Sequence, residues 1–348
     1  RLYLLKAARA QISASRGFCV KLLGAVDMSK KFLLPEQGQF YKANLHCHST
    51  LSDGRLTLEQ LKQAYRGQGY AIVAYTDHNR YAWHPELCDE GFLALAAYEI
   101  DINAPMEPGD YNHCRTYHLN FYDTDPQAQP AEKQANILAE QRYDCEYINA
   151  FIARMNRLGF LCCYNHPYWS LQTLDDYKNL RGLFAMEIYN HGCEIDGLYG
   201  YNPQVYDEML RTGQRLGCLM TDDNHNFFPF GDPLCDSFGG FTMVKAAALT
   251  YPAVIAALKH GDYYASMGPE LHGLWLEDGK LHVRCSPVEK IFVVTDGRDC
   301  YKHIARAGES LTEASFELTG KEAYIRVDCR DEKGLHACSR AYYAEELR

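Results

Sequence analysis

Apolar runs that stop at a His, Asp or Glu constrain this chain more than any other feature. The runs at 43–48, 71–75, 92–98, Phe160–Tyr164, 183–189 and 216–220 have the length and texture of buried strands. They end at His46-Cys47-His48, Asp77-His78, Glu99, Asn165-His166-Pro167, Asn190-His191 and Asp222-Asp223-Asn224-His225. Between them lie helical periodicities at 57–67, with Thr57 as N-cap, at 131–158, stopped by Gly159, and at 204–211 and 252–259. Alternating strands and helices of this length imply parallel strands joined by crossover helices. In an α/β barrel the C-terminal strand ends gather at one face, so the polar residues would meet there.

Strand side chains two apart share a face, so His46 and His48 point one way and Cys47 the other. Two imidazoles on one face, with Asp53 on the Gly turn that follows, can begin a divalent-metal site. The candidate ligands are His46, His48, Asp53, His78, Glu99, His118, His166, Asp223 and His225. This set exceeds one tetrahedral zinc site and suits two or three divalent ions with shared carboxylates. Manganese, iron and zinc all fit such donors.

Beyond Gly268-Pro269 the texture changes to short strands at 271–276, 281–285, 291–295, 315–318 and 323–329, separated by Gly, Asp and Lys turns. That pattern reads as a small antiparallel β-sandwich over residues 269–348. The metal-binding unit then spans 36–268, after an N-terminal extension at 1–35. Residues 1–27 carry five basic residues and one acid, and read either as a targeting-type peptide or as non-native sequence upstream of Met28.

The formal net charge of −10 argues against general nucleic-acid binding. No apolar stretch reaches the ~18–20 residues that span a bilayer, so no membrane association is expected. The 14 cysteines are scattered and form no C-x-x-C pair, which favours reduced thiols and a cytoplasmic setting. No G-x-S-x-G elbow, Walker loop or G-x-G-x-x-G motif occurs.

Taken in order, the motif residues from His46 to His225 resemble the PHP (polymerase and histidinol phosphatase) family. The likeness rests on His46-x-His48 with Asp53, then Asp77-His78, Glu99, His118 in His-Leu-Asn-Phe-Tyr, His166-Pro167 and Asp223-Asn224-His225, and covers about residues 41–268. It implies a distorted (β/α)7 TIM-like barrel with a trinuclear metal centre and phosphoesterase activity. His46, His48, Glu99 and Asp223 would hold one metal. Glu99 would bridge to a second, with His118 and His166, and Asp53, His78 and His225 would hold the third. Asp222 is an alternative to Asp223, and His113 to His118; spacing to His225 favours Asp223, and the start of an apolar run favours His118. Metal-activated hydroxide would then attack a small phosphorylated molecule.

Asp77 and His191 are the candidate catalytic residues outside the ligand set, Asp77 by orienting His78 and His191 as substrate contact or general acid. Each also reads as a structural polar residue at a strand end. Arg80 is a candidate phosphate clamp, with Arg115 and Lys245 equally open, and Trp83, Tyr168 and Trp169 are candidates for a pocket wall. Two other readings are an amidohydrolase-like enzyme, which would add a bridging Lys that these strand ends lack, and a non-catalytic metal-binding protein serving a partner.

Overall fold

The computed structural model describes residues 30–348, so most of the N-terminal extension lies outside the described residues. The first half contains β1 (Lys31–Leu34), β2 (Gln39–Asn44), α1 (Leu58–Gly67), β3 (Tyr70–Tyr75), β4 (Leu93–Asn103) and β5 (Thr116–Asp123). It continues with α2 (Pro130–Ala135), α3 (Cys145–Arg157), β6 (Phe160–Tyr164), α4 (Leu174–Tyr177), β7 (Ala185–Asn190) and α5 (His191–Gly197). Then follow α6 (Pro203–Arg211), β8 (Gly217–Thr221), β9 (Phe241–Ala246), α7 (Tyr251–His260) and β10 (Tyr263–Ser266). The remainder is all strand: β11 (Leu271–Glu277), β12 (Lys280–Val288), β13 (Lys290–Thr295), β14 (Tyr301–Ile304), β15 (Leu311–Glu317), β16 (Tyr324–Arg330), β17 (His336–Ser339) and β18 (Tyr342–Tyr343).

The fold is mixed α/β around one large sheet, with a C-terminal part that is largely β. Strands run β9-β2-β3-β4-β5-β6-β7-β8 across the first part. The last of these returns beside the first, where the Thr242 hydroxyl accepts from the Met220 amide and donates to its carbonyl. Helices cover the outside with the faces their periodicity dictates. In α3, Ile148, Phe151, Ile152 and Met155 are buried at helical spacing. Thr57 caps α1, as the sequence suggests, and forms a capping box with Gln60.

Three expectations are corrected. The strands are not uniformly parallel: β5 is antiparallel to both β4 and β6, and β9 to β2. The connection from β4 to β5 carries no crossover helix, so the chain doubles straight back. That pairing extends β4 to Asn103, which places Glu99 inside the strand rather than at its end. The helix expected over 131–158 is two helices, because Asp144 caps a fresh start at Cys145.

In the C-terminal part β1-β11-β12-β15 form one sheet, and β14-β13-β16-β17 continue the large sheet through the antiparallel pair β17–β10. The two layers enclose an apolar core that includes Leu274, Leu281, Val283, Ile291, Val293, Ile325 and Val327. No helix among the described residues is long and apolar enough to cross a membrane.

Candidate metal centre

The segment after β2 is extended and locked to the segment after β8. The Asp223 amide donates to the His46 carbonyl (2.9 Å), and the His48 amide to the Asn224 carbonyl (3.1 Å). The alternation read from the sequence follows: Cys47 packs with Leu61, Tyr65 and Val73, while His46 and His48 turn to the other side. The reversed direction of β5 brings His118, near its start, beside Asp101 of β4 and so close to Glu99. His166 and Asp223 have φ of 23° and 55°, left-handed values that cost non-glycine residues about 1–3 kcal/mol. The 49–54 turn folds back so tightly that a side chain at Gly54 would sit 2.5 Å from the His48 carbonyl oxygen. This turn presents Asp53.

The donor atoms converge. His46 Nε2 lies 3.1 Å from His48 Nε2, 3.3 Å from Glu99 Oε1 and 3.0 Å from Asp223 Oδ1. His48 Nε2 lies 3.3 Å from Glu99 Oε2 and 3.1 Å from Asp223 Oδ1. Donor atoms at these separations can surround a cation at roughly 2 Å, the bond length of a Zn–N or Zn–O contact. Glu99 Oε1 is also 3.0 Å from His118 Nδ1 and 3.6 Å from His166 Nε2. A looser group forms where Asp53 lies 3.4 Å from His225, 3.6 Å from His48 and 3.8 Å from His78. All nine candidate ligands thus meet in one place, with His48 shared by the Asp53–His78–His225 group, and with Glu187 and Cys193 near enough to His166 to form further groups.

The far nitrogens explain the orientation. His46 Nδ1 pairs with Glu187 (2.7 Å), His166 Nδ1 with Ser170 (3.2 Å), His118 Nε2 with the Tyr111 hydroxyl (3.3 Å) and His225 Nδ1 with the Asp223 carbonyl (3.1 Å). Each ring therefore keeps its other nitrogen for the cluster, an arrangement typical of metal-ligating histidines. Asp223 Oδ1 and His78 Nδ1 are buried without a hydrogen-bond partner, as atoms reserved for a cation would be.

The electrostatics of the bare cluster point the same way. Burial disfavours charge on His46, yet Asp223, Glu99 and Glu187 outweigh it and hold the imidazole well above its usual range. For His48, burial is likewise outweighed, by Asp223 and Glu99, and its pKa rises to about 10. Burial lowers His78 to about 4, against the pull of Glu99. Glu99 and Asp223 sit well below the carboxylate range despite burial, chiefly through His46 and its neighbouring imidazoles. The carboxylates demand positive charge, which protons or metal ions can supply.

The alternatives resolve geometrically. His113 is exposed and pairs with Asp110 (2.5 Å), away from the cluster. Asp222 accepts from the Tyr65 hydroxyl and from the amides of Phe238, Gly239 and Gly240, so it holds the 238–240 loop. Asp77 does not reach the His78 ring. It accepts from the amides and hydroxyls of Ser49 and Ser52, and Ser52 Oγ lies 3.5 Å from His48 Nδ1. Its influence therefore runs toward His48.

His191 opens α5 with its ring against Gly239 and its Nδ1 on the Tyr189 hydroxyl (2.9 Å), outside the cavity lining. Arg80 donates to the Leu51 carbonyl, Arg115 pairs with Asp176, and Lys245 lies over Phe40; none lines the cavity. Of the proposed wall residues, Trp169 lines it and Trp83 and Tyr168 do not. Glu187 escaped the sequence reading. It is fully buried and accepts from His46, Thr221, Asn190 and the His166 amide. Its one signal was an acid inside the apolar run Ala185-Met186-Glu187-Ile188-Tyr189.

The cluster floors a cavity of about 490 Å³, walled by Tyr111, Trp169, Cys193, Phe227, Phe228 and Leu234 among others. Burial pushes the Cys193 thiol well up, and its sulfur groups with His166 and Asp223 donor atoms.

No family model matches the chain. It is 39% identical over 75 residues to the DNA polymerase/3'-5' exonuclease PolX of Bacillus subtilis, a match covering 21% of this chain and 13% of that protein. It is 32% identical over 104 residues to a 5'-3' exoribonuclease of Haemophilus influenzae, covering 29% of this chain and 36% of that protein. The matches thus span well under two thirds of these curated relatives.

Among solved structures, it is similar to a two-domain protein containing a predicted PHP-like metal-dependent phosphoesterase from Bacteroides vulgatus (TM-score 0.45, 15% identity, covering 89% of this chain and 98% of that one). A putative metal-dependent phosphoesterase from Bifidobacterium adolescentis gives a TM-score of 0.34 at 17% identity, covering 59% of this chain and 94% of that one. An amidohydrolase from Chromobacterium violaceum gives 0.36 at 15% identity, covering 56% and 93%.

Proposed function

We propose that this chain is a metal-dependent phosphoesterase of the PHP type, hydrolysing a small phosphorylated substrate at a trinuclear centre. The observation that carries this reading is the convergence of His46 and His48 Nε2, each 3.0–3.3 Å from the other and from a carboxylate oxygen of Glu99 and of Asp223. Glu99 extends the set toward His118 and His166, and Asp53, His78 and His225 form the third group. Bound divalent ions would neutralise phosphoryl charge and lower the pKa of water so that hydroxide is the nucleophile at neutral pH. Glu187, Ser170 and Tyr111 fix which imidazole nitrogen faces the cluster. In the reaction a new P–O bond forms to hydroxide, the P–O bond to the leaving alcohol breaks, and that oxygen takes a proton from water.

The return of β8 beside β9 supports reading the first part as a distorted barrel, and the all-strand remainder after Pro269 supports a unit boundary near residue 268. The 13 described cysteines are free, which supports a reducing, cytoplasmic setting. Metal analysis of purified protein, then turnover of p-nitrophenyl phosphate after stripping and reloading with Mn, Fe or Zn, tests the function. His48→Ala and Asp223→Ala should abolish turnover while the protein stays folded. Bound metal with no ester cleaved, or preferential cleavage of amides, would overturn the reading.

A further inference from the structure

One buried side chain beside the cluster has no task in the nine-ligand set. Cys193 stands in the first turn of α5, is 3% exposed and lines the cavity. Its sulfur lies within 4.8 Å of a His166 nitrogen and of an Asp223 carboxylate oxygen. His166 Nε2 and Asp223 Oδ2 are themselves 3.6 Å apart. Other buried thiols donate to backbone carbonyls, as those of Cys114, Cys163 and Cys218 do. Among the described residues the Cys193 sulfur has no hydrogen-bond partner and turns to the cluster instead. Asp223, 9% exposed, likewise keeps Oδ1 buried and without a hydrogen bond.

The placement is built into the fold. The Cys193 amide donates to Asn190 Oδ1 (2.9 Å), and Asn190 Nδ2 donates to Asp223 Oδ2 (3.1 Å) and Glu187 Oε2 (2.9 Å). One residue thus fixes the backbone of the thiol and two carboxylates of the centre. The Gly192 amide donates to the Asp222 carbonyl (2.7 Å), and a side chain at 192 would meet the Asp223 carbonyl oxygen at 2.9 Å. Only glycine lets α5 press this closely on the segment after β8.

We infer that Cys193 is a tenth metal ligand, its thiolate joining His166 and Asp223 at the cation shared with Glu99 and His118. This deepens the metal-dependent reading and rests on it. On coordination a metal–sulfur bond forms and the S–H proton passes to solvent. Imidazoles and carboxylates suit manganese, iron and zinc alike, whereas a thiolate favours zinc or iron over manganese. The sulfur therefore sets which cation the centre prefers.

The test loads stripped protein with cobalt(II), which stands in for zinc and reports sulfur ligation by a near-ultraviolet sulfur-to-metal charge-transfer band. The band should appear in the unaltered protein and be lost in Cys193→Ala and Cys193→Ser, with circular dichroism to confirm folding. In the same variants Zn affinity against a competing chelator should fall about tenfold or more, while Mn affinity moves less than about threefold. X-ray absorption of the zinc-loaded unaltered protein needs no variant and should show a sulfur neighbour at about 2.3 Å. A band unmoved in Cys193→Ala, equal losses for Zn and Mn, or zinc with nitrogen and oxygen neighbours only would overturn the inference. A chain that retains no zinc, cobalt or manganese at all would instead overturn the metal-dependent reading itself.

Discussion

Replacing Glu187 by Gln changes one buried atom and should weaken the metal centre without dismantling it. The carboxylate has four donors around it: His46 Nδ1 and the Thr221 hydroxyl at 2.7 Å on Oε1, and Asn190 Nδ2 and the His166 amide at 2.9 and 3.2 Å on Oε2. An amide offers one acceptor oxygen and one NH2 donor. If the oxygen faces His46, the NH2 opposes two donors, the Asn190 amide and the His166 N–H. If the NH2 faces His46, the imidazole must carry its proton on Nε2, the nitrogen that points at the cluster. The first arrangement leaves buried donors unpaired, at about 1–3 kcal/mol, and the second occupies with a proton the nitrogen a metal would need. Loss of such a supporting carboxylate typically lowers metal affinity about 10–100-fold, equivalent to about 1.4–2.7 kcal/mol. Titration of stripped protein with Zn or Mn against a competing chelator measures the Kd, with circular dichroism to confirm folding. A Kd within about twofold of the original, in folded Glu187→Gln, would refute the view that Glu187 orients His46.

Metal uptake should tighten as pH rises. Both His46 and His48 are raised, His48 to about 10, so without metal they keep their protons at neutral pH, and a cation must displace them. Apparent affinity should climb by up to about tenfold per pH unit for each proton released, and calorimetry in buffers of different ionisation enthalpy counts those protons. Tyr111→Phe removes the hydroxyl on His118 Nε2 and should weaken binding at the Glu99–His118–His166 group about tenfold, read by metal stoichiometry under competition. Arg326→Ala would leave Asp207 and Asp328 without their buried guanidinium and should destabilise the fold by about 3–5 kcal/mol in urea unfolding.

Much of the candidate site was legible because its polar residues travel in short motifs whose spacing is itself geometry. His46-x-His48 and Asp223-x-His225 need only an extended backbone to aim their side chains, and strand ends supply it. Glu187 was not legible because nothing beside it repeats or pairs in sequence; its partners His46, His166 and Thr221 come from other strands. Asp77 and His191 sat where ligands sit but spend their atoms on Ser49 and Ser52, and on Tyr189. The reversal of β5 was hidden for a different reason. An apolar run reads the same in a parallel or an antiparallel neighbour, and strand direction is decided by the connection's path rather than by local composition. The two layers of the C-terminal part, by contrast, followed from alternation and turn residues.

The pairing of β10 with β17 stitches the two halves of the molecule through main-chain bonds rather than side-chain contact. A clam-like swing of one half against the other would have to tear that seam. Both halves should therefore melt together in a single calorimetric transition.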